Sequence, residues 1–281
     1  YSLEDRALGE IARAILSSGS EIGLHGGYHD LDNAPAYRAG ASAIEAALGV
    51  RPAGIRNHYL RFNGVGTWKA QAEAGFLYDS TFGWNEVAGY RAGHCYPFSP
   101  VDDETGSHIG IVELPMVAMD TALFQGMGLD ASGALDVLDR LISDAEATGG
   151  SMSVSWHNDY FDEPEYADWE LVYSEFLRRS SHKMLWCRPG HELALWWKGR
   201  EGVTLTPLGG STGTWRWQVR AGSPIDGLSL TVTWHRPGSR IGIDARTLVS
   251  EATEAPTQLS VGSLVAGQTA TVWIDTRTAS P

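Results

Sequence analysis

The chain has 281 residues, of which 43% are hydrophobic and 20% charged, a composition typical of a globular protein. Its formal net charge of −13 argues against nucleic acid as a partner, because phosphate binding needs clustered Lys and Arg and only 21 are present. No apolar run approaches the roughly 18 residues that a membrane span requires. The length predicts one large domain, or one large domain and a smaller one, and the charge favours a neutral or cationic ligand.

Helical and strand patterns alternate along the first two thirds of the chain. Residues 2–18 have the periodicity of an amphipathic helix, the segment EIGLH predicts a short strand or a buried turn, and a second helical stripe runs through 37–48. The later patterns predict strands within 53–60, 75–82, 109–115, 151–157 and 183–187, and helices at 67–75, 135–145 and 172–177. Such alternation favours parallel strands covered by helices.

The pattern of the sequence changes near residue 200. Helical periodicity is lost there, and strand-like segments separated by Gly, Pro and Ser turns follow. These segments are TWRWQVRA, LSLTVTWH, IGIDARTLV and TATVWIDT. We therefore predict a first domain of residues 1–199 and a small all-β sandwich module of residues 200–281.

Two histidines four residues apart, His25 and His29, lie in the glycine-rich segment EIGLHGGYHD. This spacing can bring two imidazoles close enough to share a divalent metal, on one face of a helix or around a tight turn. The two glycines between them favour a turn at a strand end, which is where barrel folds keep their sites. Two surface histidines in a loop are the alternative interpretation.

Several further segments resemble one known family. After EIGLH and its histidine pair come an arginine-bearing loop (GIRNHYL), the segment GFLYDSTF, a strand ending in ELP, and a strand ending in histidine (SVSWH). In order and spacing, residues 1 to about 198 resemble the polysaccharide deacetylases with the NodB-homology domain, also called carbohydrate esterase family four, and more closely a less studied bacterial subgroup. The resemblance implies a distorted (β/α) barrel.

The resemblance also implies residue roles. His25 and His29 match the metal-binding histidines, Arg56 matches the arginine that orients the catalytic base, and His157 matches the general acid. Removing an acetyl group needs a strong nucleophile, which a bound metal supplies by lowering the pKa of its water, and a protonated leaving group, which a histidine can supply. Two imidazoles favour zinc.

Four further residues are candidates beside these. Asp159, two residues beyond the strand-end histidine, is a candidate to orient that ring, although a solvent-facing loop carboxylate explains it equally well. His58 and Tyr59 lie next to the arginine in sequence and are candidates to line the substrate pocket, as is Trp84 in YDSTFGW. For His58 and Tyr59, a buried hydrogen-bonded role without catalysis remains open.

The sequence departs from the family at its start. The family carries an aspartate pair, the base and the third metal ligand, at the end of a first strand, and this chain begins at the helix that would follow. We expect an upstream portion to carry that strand. One alternative is that Asp30, Asp32 or Asp159 serves as the ligand, and the other is a non-catalytic relative that keeps the fold to bind sugar.

The predicted function is therefore the metal-dependent removal of N- or O-linked acetyl groups from a carbohydrate. The alternative is a carbohydrate-binding or assembly protein with a degenerate deacetylase fold, with Trp215, Trp217 and Trp234 as candidate sugar platforms. The sugar, the acyl position and the oligomeric state stay open. The absence of a signal peptide favours a cytoplasmic location only if the protein begins where this sequence does.

Overall fold

The structure is a computed structural model that describes residues 5–161, 163–182, 185–210, 214–232, 240–243, 246–248, 257–264 and 267–275. The chain divides into two compact units, Tyr1–Ala194 and Leu195–Pro281, and the division falls inside a helix. That the two units are independent domains stays a prediction.

Helices and short strands alternate through the first unit. The helices are α1 (Arg6–Ser17), α2 (Ala34–Leu48), α3 (Val65–Glu73), α4 (Ala131–Thr148), α5 (Ala167–His182) and α6 (Gly190–Glu201), the last of which crosses the division. The strands are β1 (Leu24–Gly26), β2 (Gly54–Asn57), β3 (Tyr78–Asp79), β4 (Val112–Glu113), β5 (Met116–Met119) and β6 (Ser153–Ser155). A single π-helical turn, Ala122–Gly126, follows β5.

Side-chain caps and glycines fix where these helices begin and end. The Asp130 carboxylate accepts a hydrogen bond from the Gly133 N–H at 2.8 Å at the start of α4, and Asn33 caps α2 in the same way. Gly49 ends α2 with a φ of 74°, a left-handed conformation that glycine adopts without strain. Local sequence signals therefore set these boundaries.

The strands described in the first unit pair in parallel. β1, β2, β3 and β4 form one sheet in that order, while β5 and β6 form a separate pair. Within the described residues β1 lies at the edge of its sheet, with β2 as its neighbour. A mixed α/β fold with parallel strands is thus present, while closure into a barrel stays a prediction.

The predicted stripes of α2 and α4 contribute to the core of the first unit, whereas the stripe of α1 is buried only at Ala12, and its Ile11 and Ile15 are exposed. The stripe of α4 is buried at Val137, Leu138 and Leu141 and packs against Val172 of α5. A second cluster, built around Tyr37 and other residues of α2, lies under β2. Burial of these apolar faces contributes most of the free energy that holds the helices onto the parallel strands.

The second unit is antiparallel. Its strands are β7 (Val203–Gly209), β8 (Thr214–Ala221), β9 (Ile225–Val232), β10 (Arg240–Ile243), β11 (Arg246–Leu248), β12 (Thr257–Leu264) and β13 (Thr269–Asp275). They form a five-stranded sheet in the order β11-β10-β13-β8-β7 and a two-stranded sheet, β12-β9. Residues of both sheets contribute to one hydrophobic cluster, against which Trp217 packs. Trp215 is 39% exposed, and Trp234 lies outside the described residues.

Of two further predicted segments, one agrees with the structure and one differs. Residues 53–60, predicted as a strand and a loop, form β2 up to Asn57 and then a single 3-10 turn at His58–Leu60. Leu185–Cys187 form no strand, and the rest of the segment KMLWC lies outside the described residues. Both cysteines, Cys95 and Cys187, are free. Among the helices described, none is long and apolar enough to cross a membrane.

Candidate functional site

A cavity of about 620 Å³ opens at the carboxyl ends of β1, β2, β5 and β6. Its volume lies in the range of small-molecule sites, and strand ends are where parallel α/β folds place such sites. The residues that line it are His25, Arg56, Asn57, His58, Tyr59, Leu60, Asn85, Glu86, Met119, Thr121, Gln125, Gly126, Ser155, His157, Asp159 and Tyr160. Several of the predicted site residues therefore share one cavity.

His25 pairs with His58 inside this cavity. The parallel register places His25 beside Arg56, and the 3-10 turn after β2 brings His58 back toward β1. The His25 Nε2 and His58 Nδ1 atoms are 2.9 Å apart, and the two rings meet edge to face at 87°. Burial, followed by the neighbouring His58 and Arg56, lowers the pKa of His25, so this imidazole is held neutral.

His29 does not join this pair. It is exposed, its ring lies 5.1 Å from the Tyr28 ring, and it is not among the residues that line the cavity. Asp30 accepts a hydrogen bond from the Gly27 N–H, and Asp32 accepts one from Thr67. These two carboxylates therefore hold the loop around β1.

The donor set for a metal is incomplete in the part of the chain that the structure describes. No group of three or more His, Cys, Asp or Glu side chains there could hold a metal ion. The imidazole nitrogens of His25 and His58 are suitable zinc donors, but catalytic zinc sites usually have three protein ligands. The described residues therefore do not by themselves complete the metal site, and the predicted ligand pair of His25 and His29 stays a prediction.

A carboxylate that sequence reasoning missed holds His157. Asp120 follows β5 directly and is fully buried, and its Oδ1 and Oδ2 lie 2.8 and 3.0 Å from His157 Nδ1. The His157 backbone N–H also donates to Asp120 Oδ2. The hydrogen bond that His157 donates to Asp120 raises the pKa of His157. The sequence signal that could have identified Asp120 is an aspartate at the carboxyl end of an apolar strand.

Asp159 does not hold the His157 ring in this structure. It lines the cavity, while the contact with His157 Nδ1 is made by Asp120. The reason is positional: β5 and β6 are neighbouring parallel strands, so residues that follow their ends lie side by side. A catalytic role for Asp159 stays a prediction.

Arg56 lies between the cavity and a buried pair of carboxyl groups. Its Nε donates to the Ser80 carbonyl oxygen at 3.1 Å and lies 3.2 Å from Ser80 Oγ. Burial lowers the pKa of Arg56, and the opposing attraction comes from Asp79 and Glu113. The guanidinium is thus held by Ser80 and by the electrostatic attraction of the buried Asp79–Glu113 pair.

Asp79 and Glu113 lie opposite each other in the parallel register of β3 and β4, and both are fully buried. Asp79 accepts hydrogen bonds from Thr81 and from Gln71, while Glu113 accepts from the Trp68 indole N–H at 2.9 Å. Burial raises the pKa of both groups, and the proximity of Asp79 raises that of Glu113 further. Glu113 is the member of the pair that keeps a proton.

The remaining predicted substrate residues differ in position. Tyr59 lines the cavity mouth and is 67% exposed. Trp84 is exposed but is not among the lining residues, and the Arg91 guanidinium lies 4.7 Å from the centre of its ring. The structure therefore brings Tyr59 and His58 to the cavity and leaves Trp84 outside it.

Comparisons with known proteins show a similarity to solved structures. No family model matches the chain, and no curated protein matches it. A solved structure described as a "putative polysaccharide deacetylase from Mycobacterium smegmatis" is similar, with a TM-score of 0.52 and 25% sequence identity over 69% of this chain and 68% of that chain. The chain thus shares a mixed α/β fold of helices and parallel strands with that structure.

Proposed function

We propose that the chain is a metal-dependent hydrolase that removes N- or O-linked acetyl groups from a carbohydrate. The observation that carries the proposal is the pair of His157 and Asp120 lining the same strand-end cavity as His25 and His58. The similarity in fold to a structure named as a polysaccharide deacetylase supports the same substrate class.

The chemistry of deacetylation assigns a role to His157. The amine or alkoxide leaves the tetrahedral intermediate only when it is protonated, and an imidazole that titrates near neutrality can deliver that proton. Because Nδ1 faces Asp120, Nε2 is the atom that holds the transferable proton. Asp120 keeps the ring oriented and favours its protonated form.

The nucleophile requires a second set of groups. When bound, a divalent metal, with zinc preferred by imidazole ligands, supplies a water of lowered pKa and polarises the acetyl carbonyl. Asp159 and Glu86 are the carboxylates among the cavity-lining residues, and either can accept the proton of the attacking water. Arg56 also lines the cavity, and its resemblance to the family's arginine supports a role in orienting the carboxylate that acts as base.

Metal binding by single histidine variants tests the ligand assignment. His25→Ala should abolish the binding of Zn²⁺ measured by calorimetry. The second ligand is His29 by resemblance or His58 by geometry, and the variant of the true ligand should weaken binding as His25→Ala does. His108→Ala, an exposed histidine outside the cavity, is the control. Stoichiometric Zn²⁺ binding by His25→Ala, His29→Ala and His58→Ala alike would exclude the metal-dependent mechanism.

Acetate release tests the catalytic role. His157→Ala should lower turnover of an acetylated oligosaccharide by roughly 10²–10⁴-fold, the range of a lost general acid, and leave Zn²⁺ affinity unchanged. The exposed His94, which does not line the cavity, provides the control variant His94→Ala. An unchanged rate in His157→Ala would make this histidine structural.

A second candidate function is carbohydrate binding without catalysis. It is favoured by one observation, the lack of a group of three or more potential metal ligands among the residues described. Sugar binding without acetate release, in a preparation supplied with Zn²⁺, would support this second function and exclude the first.

A further inference from the structure

We propose that Tyr28 and Tyr59 form a subsite for a neutral pyranose ring at the mouth of the cavity. The inference rests on the proposed function, because it concerns the sugar that would carry the acetyl group. It adds a binding place for the ring of that sugar, or for the next sugar residue of an oligosaccharide. It also gives a reason for the unusual backbone conformation at Tyr59.

The two tyrosine rings extend an aromatic surface outward from the histidine pair. Tyr28 is 49% exposed and Tyr59 is 67% exposed, and their ring centres lie 6.0 Å apart at an interplanar angle of 88°. The Tyr59 ring also lies 4.4 Å from the His58 ring, which contacts His25. Tyr59 lines the cavity, and Tyr28, which is not among the lining residues, extends the aromatic surface beyond its mouth.

The backbone at Tyr59 is strained in a way that places the ring. Tyr59 has φ 54° and ψ 27°, and Leu60 has φ 47°, so two consecutive residues with side chains occupy the left-handed region. This conformation buries Leu60 against Met116 and Met119 and turns Tyr59 outward. Strain of this kind persists where the surroundings impose it and is concentrated at functional sites.

Packing of the Tyr59 side chain offsets the strain only in part. Glycine adopts the left-handed region without strain, whereas a tyrosine there is unfavourable unless its ring makes compensating contacts. The ring contacts those of His58 and Tyr28, yet the residue is 67% exposed, so much of its surface stays accessible. A ligand stacked on the ring would supply contacts to this exposed surface.

The Tyr28 ring and the Tyr59 backbone are held in place by neighbouring side chains. The Arg61 guanidinium lies 4.3 Å from the centre of the Tyr28 ring and donates a hydrogen bond to the Tyr28 carbonyl oxygen. The Asn85 side-chain amide donates to the Tyr59 carbonyl oxygen at 2.9 Å. Fixing a binding surface in advance reduces the entropy that is lost on association.

The chemistry of the surroundings identifies the ligand class. A pyranose presents axial C–H groups on its faces, which pack on aromatic rings, and hydroxyl groups on its edge, which need polar partners. Asn85, Thr121 and Gln125 line the same cavity and offer amide and hydroxyl groups. Because the chain carries a net charge of −13, we infer a neutral sugar and not a polyanionic one.

Direct sugar binding to the full chain tests the subsite. The probes are an N-acetylglucosamine tetramer and an acetylated xylotetraose, titrated by calorimetry. Tyr28→Ala and Tyr59→Ala should each weaken binding by about tenfold, while Tyr28→Phe and Tyr59→Phe should stay within about twofold because stacking needs the ring and not the hydroxyl. Trp186→Ala, which removes a 53% exposed aromatic that does not line the cavity, should bind like the parent.

The outcomes separate this subsite from the proposed hydrolysis. Binding that depends on both tyrosines supports the subsite whether or not acetate is released, and acetate release that ignores both tyrosines leaves the hydrolase standing and overturns the subsite. Failure of the parent to bind either probe, equal losses in the Phe and Ala variants, or a matching loss in Trp186→Ala would also overturn it. Circular dichroism of each variant confirms that the fold is kept.

Discussion

His157 shows how one buried carboxylate determines the chemistry of a cavity side chain. Its Nδ1 lies 2.8 Å from the fully buried Asp120, and this contact raises the pKa of the imidazole. A raised pKa keeps the ring protonated to higher pH, which suits a group that delivers a proton. The contact also contributes stability that is present below the ordinary pKa of 6.5 and is lost as the pH rises through the raised value.

Asp120→Asn should therefore lower the pKa of His157. We expect the His157 ring resonance to titrate at lower pH in NMR spectra of the variant, because the amide removes the negative charge that favours the imidazolium. If acetate release is measured, its alkaline limb should move to lower pH in the same direction. Asp159→Asn serves as the comparison, where we expect a smaller shift. An equal or larger shift in Asp159→Asn, or no shift in Asp120→Asn, would contradict the assignment.

The pair of Asp79 and Glu113 gives a pH dependence of the same sign in a lower pH range. Burial and then the proximity of Asp79 raise the pKa of Glu113 well above 4.5, so the folded chain keeps a proton that the unfolded chain releases. The free energy of unfolding therefore falls as the pH rises above 4.5, because the folded state binds more protons. Like charges in adjacent buried positions cannot both ionise at low cost.

Glu113→Gln should remove this pH dependence. The amide replaces a neutral carboxyl of nearly the same shape, so the variant should gain stability relative to the parent as the pH rises from about 5 to about 8. Urea unfolding at both pH values measures the difference. The exposed Glu165→Gln is the control. A parent and a variant with parallel pH profiles would show that Glu113 is ionised in the fold.

At the scale of elements, the site depends on the close approach of β1 and β2. A Cβ added at Gly26 would lie 2.5 Å from Asn57 Oδ1 and 3.2 Å from the Tyr37 ring, so only glycine fits at this register position. The same approach sets His25 beside Arg56. Strand register here is therefore maintained by the absence of a side chain.

Gly26→Ala should lower the free energy of unfolding by about 1–3 kcal/mol, the usual cost of overpacking a tight contact. Gly9→Ala is the matched control, because its Cβ would have Arg13 as its nearest neighbour at an ordinary 3.6 Å within α1. That change should raise stability by about 0.5–1 kcal/mol, since alanine favours the helix interior. Equal effects of the two changes in urea unfolding would contradict the packing argument.

At the scale of the whole molecule, the acidic charge is unevenly distributed. Residues 1–194 carry 28 Asp and Glu against 13 Lys and Arg, while residues 195–281 carry six acidic and eight basic residues. The cavity lies in the acidic unit. Such a charge repels polyanions and leaves neutral ligands unaffected.

The intact chain should therefore pass a heparin column without retention at about 0.15 M salt. The expectation follows from the net charge of −13 and is independent of the residues in the cavity. A parallel run on duplex DNA should give the same result. Retention that weakens steeply with added salt would reveal a basic surface and would reopen the question of a polyanionic substrate.

The sequence by itself determined the features that depend on neighbours along the chain. Apolar periodicity was sufficient to predict α2 and α4, and the alternation of elements was sufficient to predict parallel strands. Local caps and glycines fix the ends of these helices. It also singled out His25, Arg56 and His157, three residues that line the cavity. These signals are local, because helix and strand periods act within a few residues.

Only the tertiary structure decided which side chains meet. His58 reaches His25 across 33 residues, and Asp120 reaches His157 across 37, because neighbouring parallel strands end side by side. The same packing left His29 in an exposed turn, although its spacing from His25 suggested a shared metal. Spacing along the chain limits which residues can approach each other, whereas strand register and the turn that follows each strand select those that do.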